Sequence, residues 1–174
     1  MKCVFIAGMP ATGKSTLAAQ MGKSLGLPVL EKDEIKECLF DTVGFTCYVE
    51  KRRLDVAATE ILLSLLVCLR KADVSVIVVN NFSREAGQRL NEFLRRDGVE
   101  AVTVFLTGDP QVLYERYYDR DRRGLRHAGH VARGIRRTFP AVRDGSGFLG
   151  RSRDQAGHDL PRKTGYRCSH SAGG

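Results

Sequence analysis

The chain has 174 residues, a formal net charge of +8, and 43% hydrophobic and 28% charged residues. That length and balance suit one globular domain with a real core, and they exclude wholesale disorder and fibrous or collagen-like architectures. The charge invites a nucleic-acid reading, but it is unevenly spread: residues 131–174 hold nine Lys/Arg against three acids, and residues 1–130 hold nineteen against seventeen.

Taken in order, residues 2–7 (KCVFIA) predict a buried strand and residues 14–25 a helix with Leu17, Met21 and Leu25 on one stripe, ended by Gly26 and Pro28. Residues 28–32 predict a short second strand, and 34–40 one or two helical turns. Residues 49–71 predict a long helix whose centre is apolar nearly all round, as in a helix packed on several sides. VSVIVVN, residues 74–80, is continuous and β-branched, as in a strand covered on both faces. Residues 84–97 predict a helix with Ala86, Leu90, Phe93 and Leu94 inward; residues 100–107 predict a fourth strand. Residues 110–123 predict a helix with Val112, Leu113 and Tyr117 on its buried side. Alternating strands and helices mean an α/β fold, with a parallel sheet and helices on both faces.

Five cysteines, Cys3, Cys38, Cys47, Cys68 and Cys168, form no CxxC pair, and an odd count closes no disulfide set. The expectation is a reduced, cytoplasmic protein. The longest apolar run, Ile61 to Leu69, falls far short of the ~20 residues a membrane helix needs, so no membrane is expected.

GMPATGKS, Gly8 to Ser15, fits the phosphate-binding pattern G-x-x-x-x-G-K-[ST], and it follows a strand and opens a helix. Gly8 and Gly13 let the backbone wrap a phosphate chain, with Pro10, Ala11 and Thr12 between them, and the helix N-terminus adds its dipole. Lys14 brings a charge to the β- and γ-phosphates, the Ser15 hydroxyl is the expected Mg²⁺ ligand, and Thr16 lies near the α-phosphate. A nucleoside triphosphate is implied.

Asp33 stands at the end of the second predicted strand. There it can take a proton from an attacking hydroxyl, or serve only as N-cap of the helix starting at Glu34; the two roles are compatible. Lys36 meets a substrate anion or is solvated. Arg116, Arg120 and Arg123 fall on one helical face. They form either a solvated face balanced by Glu115, Asp119 and Asp121, or a lid whose Arg116 and Arg120 neutralise a transferring phosphoryl group. Arg126, His127 and His130 follow as lid or substrate contacts. Near the end of the third strand most P-loop enzymes carry an acid for Mg²⁺. Here the position is Val79, followed by Asn80 and Asn81.

GMPATGKST, EKDEIKECL, VIVVNNFSREAGQRL and LYERYYDRDRRGLRHAGH together resemble the small P-loop kinases of the polynucleotide-kinase-like and zeta-toxin-like group. The resemblance implies a P-loop NTPase sheet, here of order 2-3-1-4 with a fifth strand not evident. It also implies ATP and Mg²⁺, and transfer of the γ-phosphate to a hydroxyl on a small molecule or a nucleic-acid end. By position Lys14 and Ser15 match the phosphate and Mg²⁺ residues, Asp33 the general base, and Arg116 and Arg120 the lid arginines, while Val79 departs from the usual acid.

The expected domain spans residues 1–130. Residues 131–174 are basic, rich in Gly, Arg and Ser, and aperiodic. They are expected to be a poorly ordered tail, from a shifted reading frame or a degenerated end. Two readings compete with the kinase: an ATP-binding protein with little or no transfer activity, favoured by Val79 and the missing fifth strand, and a nucleic-acid-binding module, favoured only by net charge.

Overall fold

The computed structural model describes residues 1–130. In chain order the elements are β1 (Lys2–Gly8), α1 (Lys14–Leu25), β2 (Val29–Glu31), α2 (Lys32–Thr42), α3 (Tyr48–Lys71), β3 (Val76–Val79), α4 (Arg84–Arg96), β4 (Glu100–Leu106) and α5 (Pro110–Arg122), with a 3₁₀ turn at Ala128–His130. The strands form one four-stranded sheet of order β2-β3-β1-β4. Every pairing is parallel, as βαβ crossovers require. The expected tail, in which no fifth strand is evident from the sequence, lies outside the described residues.

Alternation along the central strands builds two cores. Cys3, Phe5, Val76 and Val78 point to the side covered by α3 and α4, where they pack with Leu62, Leu66, Phe82, Leu90 and Phe93. Val4, Ile6, Ile77 and Val79 point to the other side, onto Ala18, Leu17 and Met21 of α1. Ile6, Leu62, Leu66, Ile77 and Val78 are fully buried. Each such side chain contributes about 1.5–3 kcal/mol relative to its exposed state. The four inward residues predicted for residues 84–97 are all buried, and Ser83 caps that helix by accepting from the Ala86 N–H at 3.3 Å.

Three expectations about helix faces need correction. On α1 the buried residues are Ala18 and Gly22, and Leu25 is 56% exposed. The helix lies close to the sheet through small residues, which turns its contact face away from Leu25. On α3 only Ala58, Thr59, Leu62 and Leu66 are buried, and Val56, Ile61 and Leu65 are exposed. As an outer layer of a sheet covered once on that face, this helix meets solvent on its far side. On α5 Leu113 is buried, Tyr117 half-buried and Val112 exposed. No described helix is long and apolar enough to cross a membrane.

The register fixes what meets at the carboxyl ends of the strands. Ile6 pairs with Val79. Val79 in turn pairs with Glu31. Registered neighbours in a parallel sheet share a face, so Glu31 lies on the α1 side with Ile6 and Val79.

Candidate active site

The loop from β1 to α1 leaves the sheet through Gly8, whose φ is +136° and whose missing Cβ would lie 2.0 Å from the Leu106 carbonyl oxygen. No other residue fits that close approach to β4. Ala11 and Gly13 then adopt left-handed conformations, with φ 63° and 88°, and Thr12 Oγ1 donates to the Met9 carbonyl at 2.8 Å. These turns curl the loop over the N-terminus of α1. Lys14 Nζ donates to the carbonyls of Gly8 at 3.0 Å and Met9 at 2.8 Å. Burial pulls the Lys14 ammonium below its usual range; nearby Asp33 opposes that and nearby Arg120 adds to it.

A cleft of about 630 Å³ opens at this end of the sheet. Pro10, Ala11, Gly13, Lys14, Ser15 and Thr16 of the loop and the start of α1 line it. Gly8 and Thr12 shape the loop from outside the cleft lining. Asp33 and Lys36 of α2 and Asp55 of α3 line it too, as do Tyr117 and Arg120 of α5 and Arg126 and His130 after it. The structure thus brings Lys14, Ser15, Asp33 and Arg120 into one space. Arg116 is exposed and does not line it. Farther along the same helix, Arg123 pairs with Asp119 at 2.8 Å, the i,i+4 contact its spacing predicts.

Asp33 sits differently from its expected position. The strand ends at Glu31, which is the N-cap of α2, so Asp33 lies inside the first helical turn beside Glu34. It neither closes the strand nor caps the helix, and its carboxylate gains from the helix dipole. Lys36 also differs from a solvated side chain. It is 15% exposed and pairs with Asp55 at 2.7 Å, while Lys32 reaches the same carboxylate at 3.1 Å. Burial works to raise the Asp55 pKa, but the contacts with Lys36 and Lys32 outweigh it and hold the group below its ordinary value.

The segment after α5 docks on α2. Arg126 pairs with Asp121 at 2.7 Å and lies over the Tyr117 ring at 4.3 Å. His127 Nε2 is 2.9 Å from Asp41 Oδ1 and its ring stacks on Phe40, outside the cleft lining. His130 meets the Phe40 ring edge-on. Its Nε2 is 3.0 Å from Glu37 Oε1 but is not aligned for a hydrogen bond. Burial pulls the His130 pKa down to about 4, so the His130 imidazole is neutral at neutral pH beside the Arg120 and Arg126 cations.

Sequence reasoning named Asn81 without its task and gave Glu31 none. Asn81 clamps the start of the phosphate-binding loop: its Oδ1 accepts from the Gly8 N–H at 3.0 Å and its Nδ2 donates to the Gly8 carbonyl at 2.8 Å. Glu31 accepts a hydrogen bond from Ser15 Oγ at 2.7 Å. An acid at the last position of the second strand was the available signal, but reading it requires the strand register. With Ser15 and Glu31 the donors here are all oxygen, which fits a hard cation such as Mg²⁺.

The sequence profile of the AAA domain family matches residues 4–141. The chain belongs to this family. No curated protein matches it in sequence. Among solved structures, a candidate kinase from Chloroflexus aurantiacus is 27% identical with a TM-score of 0.67, the match covering 73% of this chain and 70% of that one. A chain of the Pnkp1/Rnl/Hen1 RNA repair complex is 17% identical with a TM-score of 0.56, covering 70% of this chain and 38% of that one. A chain of the PezAT toxin–antitoxin system of Streptococcus pneumoniae is 15% identical with a TM-score of 0.56, covering 70% of this chain and 52% of that one. The last two share the fold alone. The resemblance to small P-loop kinases drawn from the motifs holds, and the sheet order 2-3-1-4 is the one expected.

Proposed function

We propose that this AAA-family chain is an ATP-dependent phosphotransferase that moves the γ-phosphate to a hydroxyl of a small molecule or a nucleic-acid end. The observation that carries the reading is the convergence of Asp33, Lys14, Ser15 and Arg120 on one cleft. A phosphate-binding loop alone implies only nucleotide binding. A carboxylate in the same cleft adds a base, and an arginine there adds positive charge for the transferring group.

In this reading the loop backbone and Lys14 hold the β- and γ-phosphates, and Thr16 lies toward the α-phosphate. Ser15 would hold Mg²⁺, which when bound neutralises charge on the phosphates. Asp33 accepts the proton of the acceptor hydroxyl as its oxygen attacks the γ-phosphorus. The bond to the bridging oxygen breaks and ADP leaves. Arg120 spreads the charge of the transferring group. Arg116, which does not line the cleft, acts less directly.

A second reading is a nucleotide-binding protein with little or no transfer. Val79 favours it, an apolar side chain only 6% exposed where an acid is usual. A screen with γ-labelled ATP against sugars, hydroxy acids, nucleosides and 5′-hydroxyl oligonucleotides separates the two. Transfer by the wild-type chain is expected, with Asp33→Asn lowering kcat by ~10²–10⁴-fold and leaving nucleotide affinity within threefold. Arg120→Ala lowers kcat more than Arg116→Ala. Nucleotide binding with no transfer to any acceptor establishes the second reading, and unchanged turnover in Asp33→Asn removes the assigned base.

A further inference from the structure

We propose that Glu31 is the positioning residue of the Mg²⁺ site and stands in for the acid that Val79 does not supply. The inference rests on the phosphotransferase reading, because the metal arrives with the nucleotide.

Three observations carry it. The first is register. Glu31 is the cross-strand partner of Val79, on the same face of the sheet and about 4.8 Å away in the pairing direction. An acid moved one strand sideways, from the end of β3 to the end of β2, still faces the N-terminus of α1.

The second is the proton of Ser15. A serine hydroxyl has one proton and two acceptor lone pairs. To ligate a cation through a lone pair it must direct its proton elsewhere. Ser15 Oγ donates that proton to Glu31 Oε2 at 2.7 Å, which leaves both lone pairs available. The carboxylate also brings a negative charge beside the position a cation would take. Groups that orient a metal ligand in this way change metal affinity by ~10–100-fold.

The third is that Glu31 has no competing task. It is the N-cap of α2 yet makes no side-chain capping hydrogen bond, so its carboxylate is not used to start the helix. Its neighbour Lys32 pairs with Asp55 at 3.1 Å, and the ammonium that Glu31 acts on is that of Lys14, itself hydrogen-bonded to the Gly8 and Met9 carbonyls. Glu31 lines the cleft together with Ser15 and Val79.

The test uses the full chain, a non-hydrolysable ATP analogue, and Mn²⁺ as a spectroscopically visible substitute for Mg²⁺. Mn²⁺ affinity of the protein–analogue complex is measured by electron paramagnetic resonance, and analogue affinity in EDTA by calorimetry. Glu31→Gln is expected to weaken Mn²⁺ ~10–100-fold while changing the metal-free analogue affinity less than twofold, and Glu31→Asp to recover at least half of the wild-type Mn²⁺ affinity. Circular dichroism checks that each variant is folded. A loss below fivefold in Glu31→Gln overturns the proposal. So does an equal loss in EDTA, which would mean that Glu31 shapes the loop and not the metal site. Failure of the wild-type chain to bind the analogue at all removes the phosphotransferase reading, and the role of Glu31 with it. Tight wild-type binding with an indifferent Glu31→Gln removes the role of Glu31 alone.

Discussion

The phosphate-binding loop depends on a residue that belongs to neither the loop nor its helix. Asn81, two positions beyond β3, satisfies both backbone groups of Gly8 through a donor and an acceptor at 2.8 and 3.0 Å. Truncation to alanine removes the partner of the Gly8 N–H and one of two donors to its carbonyl, where Lys14 Nζ remains at 3.0 Å. A typical net hydrogen bond contributes about 1 kcal/mol, and a buried group left without a partner costs about 1–3 kcal/mol. The Gly8 N–H is part-buried, so solvent relieves some of that cost, and Asn81→Ala should destabilise the domain by about 1–3 kcal/mol. Asn81→Asp keeps the acceptor for the Gly8 N–H but sets an oxygen against the Gly8 carbonyl, so it should cost at least as much despite being nearly isosteric. The chain has no tryptophan, so equilibrium urea unfolding is followed by far-UV circular dichroism, with nucleotide affinity measured in parallel. Because Gly8 cannot shift without meeting Leu106, affinity should fall in both variants. A loss below ~0.5 kcal/mol in Asn81→Ala, within the range of ordinary surface substitutions, would refute the clamp. So would an Asn81→Asp variant as stable as the wild type.

Two other perturbations test the docking of the segment after α5. A Cβ at Gly129 would lie 2.1 Å from the Phe40 ring, and Phe40 is itself only 6% exposed. Gly129→Ala should therefore cost about 1–3 kcal/mol through overpacking and raise hydrogen exchange across residues 126–130; an unchanged exchange pattern would contradict this packing. His130 predicts a pH dependence. Burial lowers its folded pKa to about 4, against about 6.5 unfolded. Between those values the unfolded chain takes up a proton that the folded chain does not. The stability is therefore fully present above pH ~6.5 and lost as the pH falls toward ~4. Urea midpoints near pH 7 and pH 5 should differ more for the wild type than for His130→Asn, and equal differences would rule out this contribution.

The elements were legible because each has a local cause. VIVV reads as a buried strand from its β-branched run, and Ala86, Leu90, Phe93 and Leu94 read as one helical face from their spacing. The phosphate-binding loop is equally local, since its glycines, lysine and hydroxyl are contiguous. Helix faces were less legible. Leu17, Met21 and Leu25 share a stripe, but which part of α1 touches the sheet depends on how closely it approaches, and small residues at Ala18 and Gly22 decide that. The apolar centre of α3 looks fully enclosed because hydropathy does not record that a layer has an outer side.

The cleft shows the same limit more sharply. Arg116 and Arg120 are equivalent by spacing, yet only Arg120 lines the cleft. Lys36 looks like any surface lysine until α3 brings Asp55 against it. Val79 looks like a missing charge when β3 is read alone, because a strand read along its own length contains only its own side chains. Parallel pairing adds the residues across the row, and there Glu31 faces the same helix as Val79 and holds the proton of Ser15. The charge expected of one position is thus available from its registered neighbour. A site built at the carboxyl ends of a parallel sheet is specified by rows across strands as much as by motifs along them, and a departure at one position in a row has meaning only once the rest of the row is known.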